Sequence, residues 1–339
     1  MTEGIRTAVV GAGYFGSLHA DKLACIPASR LIAVVDTHAE RAEALAAKHG
    51  ALALTDATEL IGRIDAAIVA VPTRAHYEVA RRLIDAGIHV LIEKPITEEP
   101  ESARDLVGRA ARRNLVLQVG HLVRFSAVAT AVRARIRDPL YIEAFRITPF
   151  RDRGTDVSVT LDLMIHDIDL ILDFVKAPIE SVEAIGVPVL STTEDIVNTR
   201  LRFRNGCFAT LTASRVSFKS ERKMRIFEPD SYLGIDFIER SLRTVERKPA
   251  AIGGTRPEIA IANQTYEEKD EIHDEDTAFL AAIAGRTKPL VTGEDGVRAV
   301  EAAMLITASL KENFAQMARA RGLPLSPDGL LAVAPRKDG

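Results

Sequence analysis

Residues 6–10 form an apolar run that leads directly into Gly11-Ala12-Gly13-Tyr14-Phe15-Gly16 and then into a helical pattern, and no other stretch constrains the fold as strongly. Glycines between a strand and a helix permit a tight turn. They also let the backbone approach a pyrophosphate, which the N–H groups and dipole of the helix start attract. Asp36 stands 20 residues past Gly16 and closes a second apolar run, residues 31–35. Its carboxylate can take both hydroxyls of an adenosine ribose. It would repel a 2′-phosphate, and Thr37 and His38 supply no basic pair to welcome one, so the expected cofactor is NAD, with NADP less favoured.

The first third of the chain continues in the same grammar. Apolar runs at 51–54, 66–71, 88–92 and 115–119 alternate with helical stretches at 74–86 and 98–113. That alternation predicts a doubly wound parallel sheet. Gly87 stands where a helix C-cap glycine belongs, and Thr97 with Glu98 and Glu99 offers the next helix a cap and an acidic first turn. After residue 121 the pattern changes to strands joined by turns. Asn205-Gly206 suits a two-residue hairpin, and Arg200, Arg202 and Arg204 alternate with Leu201 and Phe203, giving one apolar and one charged sheet face. We therefore expect an α/β chain: a dinucleotide-binding Rossmann domain over 1–121, and over 122–339 a substrate-binding and oligomerisation α+β domain with a large, mainly antiparallel sheet. Helices near 274–284 and 294–314 are expected to cover one face of that second sheet.

Two features carry chemistry. Glu93-Lys94-Pro95 puts a charged lysine at the end of an apolar strand, where ligands of such sheets bind. In the second domain, residues 161–173 read as a helix. At about 100° per residue, Asp162, His166, Asp169 and Asp173 share a stripe roughly 60° wide on an otherwise apolar cylinder. Asp173, near the helix end, is expected to face water. An i,i+4 carboxylate such as Asp162 can orient the His166 imidazole and raise its basicity. Removing a hydride from a secondary alcohol requires the hydroxyl proton to leave as well, which His166 can accept while the Lys94 ammonium stabilises charge on the oxygen.

These features together resemble the Gfo/Idh/MocA family of nicotinamide-dependent oxidoreductases over nearly the whole chain. The glycine turn with His19 after it, Thr73 and His76, Glu93-Lys94-Pro95, and Asp162 with His166 all match its motifs. The resemblance implies that Gly11, Gly13, Tyr14, Phe15, Gly16, Asp36, Thr73, His76, Glu93, Lys94, Gln118 and His121 meet the cofactor. It also implies that Lys94 lies between nicotinamide and substrate, that Asp162 helps bind the substrate and that His166 exchanges the proton. Residues 119–125, 162–169, 193–196, 212–216 and 225–227 resemble a branch that oxidises nucleotide sugars, the UDP-N-acetylglucosamine 3-dehydrogenases, which make a 3-keto sugar for amination in lipid A synthesis. Arg124, Arg151, Arg153 and Arg215 are the cations available to a substrate diphosphate. A dehydrogenase of a free polyol or monosaccharide would keep the same catalytic residues. A non-catalytic NAD-sensing regulator would not need them.

Composition excludes other classes. With 47% hydrophobic residues in 339, the chain can fill two cores, and a net charge of -3 gives no basic footprint for nucleic acid. The N-terminal Met1-Thr2-Glu3-Gly4 carries no apolar signal region, so a cytoplasmic protein without membrane association is expected. The two cysteines, Cys25 and Cys207, read as small core residues rather than a disulfide. The eight histidines form no close ligand pair, so no metal is expected. The charged sheet face suggests a homodimer or homotetramer paired through the second-domain sheet.

Overall fold

A computed structural model describes residues 4–150, 158–191, 193–249 and 257–322. The chain divides into two compact units, residues 1–126 with 269–300, and residues 127–268 with 301–339.

The first unit is built on six parallel strands: β1 (Ile5–Val10), β2 (Ser29–Val35), β3 (Leu52–Leu54), β4 (Ala66–Val69), β5 (His89–Glu93) and β6 (Leu117–Gly120), in the order β3-β2-β1-β4-β5-β6. Its helices are α1 (Tyr14–Cys25), α2 (Ala39–His49), α3 (Thr73–Asp85) and α4 (Pro100–Arg112). Strands buried on both faces read as continuous apolar runs, and here the alternation sorts them between two cores. Ala8, Val10, Val69 and Ile92 pack with Leu83, Ile84 and Leu106 from α3 and α4, while Val9, Val34, Ile68 and Leu91 pack with Leu23 and Leu45 from α1 and α2.

The second core is completed by Phe279 and Leu280 of α7 (Glu271–Ile283). This corrects the sequence reading: α7 belongs to the first unit, whose core it completes. The boundary also shifts, because Phe125 packs into the first unit's core and carries residues 122–126 with it. Ala86 is the C-cap of α3, and Gly87 follows it at φ 83°, the left-handed position a glycine suits. Thr97 does not cap α4; its hydroxyl donates to the Glu99 carbonyl at 2.7 Å, and Glu99 itself is the N-cap with Pro100 in the first turn.

The second unit holds α5 (Ala127–Arg133), α6 (Ile165–Val175) and an eight-stranded sheet of β7 (Tyr141–Ile147), β8 (Ile179–Val187), β9 (Ile196–Phe203), β10 (Phe208–Ser214), β11 (Glu221–Phe227), β12 (Ser231–Asp236), β13 (Ser241–Lys248) and β14 (Glu258–Thr265). The order is β14-β13-β12-β11-β7-β10-β9-β8, and only the β7–β10 pair is parallel. Along β9, Val197, Thr199, Leu201 and Phe203 are buried while Asn198, Arg200 and Arg202 are exposed. On the outer face Arg200 and Arg202 lie over the Phe208 ring, 5.4 and 5.7 Å from its centroid. The Asn205-Gly206 hairpin has three loop residues, not two: Phe203 and Cys207 form the closing pair, and Gly206 sits at φ 88°, the left-handed residue such a loop needs. Helix α8 (Gly293–Arg321) is divided between the units; within the second, Ser309 and Asn313 bind the Ala184 amide and carbonyl of β8. Cys207 is buried, whereas Cys25, the last residue of α1, is exposed, and both are free thiols. Among the described residues no helix is long and apolar enough to cross a membrane.

Candidate active site

The nucleotide cradle follows from where a β-carbon can and cannot stand. On Gly11, at φ 103°, it would lie 2.5 Å from the Ala70 carbonyl oxygen, and on Gly16 only 1.7 Å from the Gly11 oxygen. On Gly13 it would meet nothing within 4 Å. The outer two glycines thus let β1, β4 and α1 converge, and the middle one keeps open the approach a pyrophosphate needs. Tyr14 and Phe15 begin α1 as exposed residues, 65% and 41%, whose apolar surface a bound dinucleotide can cover.

Asp36 is fixed beside this turn. One carboxylate oxygen accepts the Ala12 N–H and the other the His38 N–H, each at 2.8 Å. Burial alone would raise its pKa, but the two backbone hydrogen bonds and His38 hold it below the usual range. An anchored, ionised carboxylate with lone pairs to spare suits the ribose hydroxyls of NAD.

Lys94 follows β5, half-buried, and the Lys94–Pro95 peptide is cis. The neighbouring Glu93 side chain turns inward: its Oε2 accepts the Lys94 backbone N–H at 3.1 Å, and its Oε1 lies 3.0 Å from His19 Nε2. His76, expected at the cofactor, is buried, with Nδ1 2.8 Å from the Pro95 carbonyl and Nε2 2.8 Å from the Val71 carbonyl. Each ring nitrogen faces a backbone carbonyl, and burial lowers the pKa of the ring, so its one N–H donates to one of the two and His76 packs between the turn after β4 and the Lys94–Pro95 corner. Gln118 is likewise buried, its amide donating to the Glu275 carbonyl at 3.2 Å, which ties β6 to α7. Thr73 opens α3 half-buried, and His121 lies buried at the end of β6.

In the second unit, residues 160–164 form a π-helical turn that runs into α6, so Asp162 and His166 lie on consecutive turns of different pitch. Such turns recur at functional sites. The wider turn changes the angle between Asp162 and His166 from that of a plain α-helix. Asp162 and His166 are half-buried, but Asp169 is only 1% exposed. Asp173 does not simply face water: it accepts from Arg133 at 2.7 Å. The entry to the π-turn is tied down by Ser158, whose hydroxyl donates to Glu194 and accepts the Thr160 N–H.

Two of the arginines expected at a diphosphate make bonds within the fold. Arg215 is buried and donates to Asp195 at 2.7 Å, Ser191 at 2.8 Å and Thr193 at 2.6 Å. Asp195 also accepts the N–H groups of Val189, Leu190 and Ser191. Burial opposes its ionisation, yet these donors hold its pKa far below the usual range. Arg215 is therefore a brace that ties Asp195 to Ser191 and Thr193. Arg124, 2% exposed, lies against Asp295 at 3.5 Å within the first unit. Arg151 and Arg153 lie outside the described residues.

Sequence reasoning missed three buried residues around these elements. Arg146 of β7 makes a two-pronged bond to Asp167, next to His166, at 2.8 and 2.9 Å. Glu275 and Asp276 of α7 are fully buried, and Asp276 Oδ1 lies 2.8 Å from His19 Nδ1. A charged residue at an inward position of a strand or helix was the available signal. The partners, 21 and 257 residues away, were not legible.

Comparison with known proteins agrees with this geometry. Residues 5–121 match the model of the oxidoreductase family with NAD-binding Rossmann fold, and residues 129–228 that of the GFO/IDH/MocA C-terminal domain. The chain is 36% identical over 91% of its length, and 97% of the relative's, to a UDP-N-acetylglucosamine 3-dehydrogenase of Acidithiobacillus ferrooxidans. A solved structure of that enzyme superposes with a TM-score of 0.85, covering 91% of this chain and 98% of that one at 35% identity. An inositol 2-dehydrogenase of Rhizobium meliloti is 26% identical over 91% of this chain and 97% of its own. The structure of scyllo-inositol dehydrogenase from Lactobacillus casei with NAD(H) and scyllo-inositol shares the fold at a TM-score of 0.76, covering 92% and 98% of the two chains at 22% identity. With both domains matched and a glycine cradle and anchored Asp36 suited to NAD, the chain belongs to the Gfo/Idh/MocA family of NAD-binding oxidoreductases.

Proposed function

We propose that the protein oxidises the C3 hydroxyl of a UDP-linked N-acetylhexosamine, UDP-N-acetylglucosamine, to the 3-keto sugar with NAD. The observation that carries this reading is the 36% identity to the Acidithiobacillus ferrooxidans enzyme across 97% of that protein's length. NAD, when bound, accepts the hydride. His166 takes the hydroxyl proton, which a neutral imidazole can do near pH 7. Asp162 orients the sugar, and the Lys94 ammonium stabilises the negative charge growing on the oxygen. Arg151 and Arg153 are assigned to the diphosphate. The product is a substrate for amination on the way to lipid A, the protein works in the cytoplasm, and copies pair through the outer face of the second sheet.

The test is turnover. Purified protein with NAD should generate NADH absorbance when given UDP-N-acetylglucosamine, and Lys94→Ala and His166→Asn should each abolish it. The second reading, a dehydrogenase of a free polyol, is favoured by the similarity to the Rhizobium meliloti inositol 2-dehydrogenase. NADH formation with myo-inositol and none with the nucleotide sugar would replace the first reading by the second.

A further inference from the structure

The proposed chemistry leaves a buried group of ionisable side chains without a task. His19 of α1, Glu93 of β5 and Asp276 of α7 form one chain of contacts: Asp276 Oδ1 to His19 Nδ1 at 2.8 Å, and His19 Nε2 to Glu93 Oε1 at 3.0 Å. The His19 and Asp276 side chains are 0% exposed and that of Glu93 12%. Glu275 joins them from α7, with one ligand atom each of His19, Glu93 and Glu275 lying within 4.8 Å of one another. The His19 ring cannot rotate or shift without breaking both of its contacts.

Burial alone would lower the pKa of His19. The Asp276 charge and the hydrogen bonds to Asp276 and Glu93 outweigh it and hold the ring well above its ordinary value, so the imidazolium donates from both nitrogens. Burial and the nearby Glu93 charge push the Glu275 pKa well above its ordinary value against the opposing His19, with Asp276 and Glu271 of the same helix adding to that push. Glu93 is the outlet of the group. Its second oxygen accepts the Lys94 N–H, and Gly120 of β6 leaves it room, since a β-carbon there would stand 3.0 Å from that oxygen.

We propose that His19 is a positioning residue for Lys94, acting through the Glu93 carboxylate and held in place by Asp276. Lys94 is the first residue after β5 and its backbone N–H is bonded to the Glu93 carboxylate, so pinning Glu93 inward fixes the backbone from which the Lys94 side chain leaves. A charge-assisted bond on each side of the imidazolium makes that anchor stiff. The inference rests on the reading of Lys94 as a catalytic residue.

Two measurements test it on the full-length protein: steady-state kinetics with NAD and UDP-N-acetylglucosamine, and the ¹⁵N–¹H amide signal of Lys94. His19→Gln and Glu93→Gln should each lower kcat about 10- to 100-fold, the scale of a misplaced catalytic group, with KM for NAD changed less than about threefold. The double variant should be no worse than the worse single, because both changes break one linkage. The Lys94 amide signal should move in the same direction in His19→Gln as in Glu93→Gln. Losses that multiply, or a His19→Gln protein with unaltered kcat and Lys94 amide, would overturn the proposal. If Lys94→Ala keeps full turnover, or the wild-type protein leaves the nucleotide sugar untouched, the functional reading fails and the amide signal alone decides the linkage. Should His19→Gln not fold, Asp276→Asn, which keeps an acceptor for Nδ1 but removes the charge, must still move the Lys94 amide for the linkage to stand.

Discussion

Removing one member of the Arg146–Asp167 pair should be among the costliest single changes in the second unit. The guanidinium and carboxylate meet through two bonds of 2.8 and 2.9 Å, with side chains only 4% and 6% exposed. Arg146→Met leaves the Asp167 charge without its partner in a site that water scarcely reaches. The expected loss is about 3 to 5 kcal/mol, the range for breaking a buried pair. For a unit of this size that corresponds to a fall in Tm of roughly 6 to 20 °C. Asp167→Leu should cost as much. Replacing both together removes the charges as well as the bonds, so the double variant should lie within about 1 kcal/mol of the wild type. Urea denaturation followed by circular dichroism gives the four corners of the cycle, and kcat provides a second readout because Asp167 adjoins His166. Single variants that each cost less than about 1 kcal/mol, as exposed pairs do, would refute the claim that this pair sits in a dry interior.

Further outcomes follow from the same geometry. Gly16→Ala forces a β-carbon to 1.7 Å from a backbone oxygen, so it should abolish NADH binding, read by fluorescence, and cost about 1 to 3 kcal/mol or more in stability. Asp36→Ala should weaken NAD binding about 10- to 150-fold, equivalent to about 1.5 to 3 kcal/mol for hydrogen bonds to a charged group, with NADP affected less. Asp195 has a folded pKa depressed below its unfolded value of about 3.9, so its contribution is present above that pH and is lost as pH falls. Asp195→Asn should therefore destabilise the protein at pH 7 by about 3 kcal/mol or more and flatten its acid denaturation profile. Glu275 is the opposite case. Its folded pKa is raised, so the native state holds the extra proton and stability declines as pH rises above about 4.3 towards the folded value. Glu275→Gln should match or exceed the wild-type Tm at pH 7 to 8 and show a shallower alkaline decline.

Much of the site was legible because the signals are local. The glycine turn, Asp36 at its fixed remove and Glu93-Lys94-Pro95 are short sequences whose geometry is set by neighbouring backbone. The six strands of the first unit fall on or within a few residues of the apolar runs. Four residues of the expected site share one feature. His76, Gln118, Arg124 and Arg215 are polar side chains next to the expected ligands, and sequence could not say whether a ligand or the fold would use them. Each proved to be buried against a carbonyl or carboxylate of the protein itself.

The sequence by itself therefore determined the parallel sheet, the nucleotide turn, the alternating face of β9 and the family, since each depends on periodicity or on residues within one or two turns. Only the tertiary structure decided that α7 completes the first unit's core, that a π-turn carries Asp162 and that His19 reaches Asp276 across 257 residues. The physical reason is the range of the forces involved. Backbone conformation and hydrophobic period are written locally. A buried charge is stable only beside a partner, and the chain can bring that partner from anywhere.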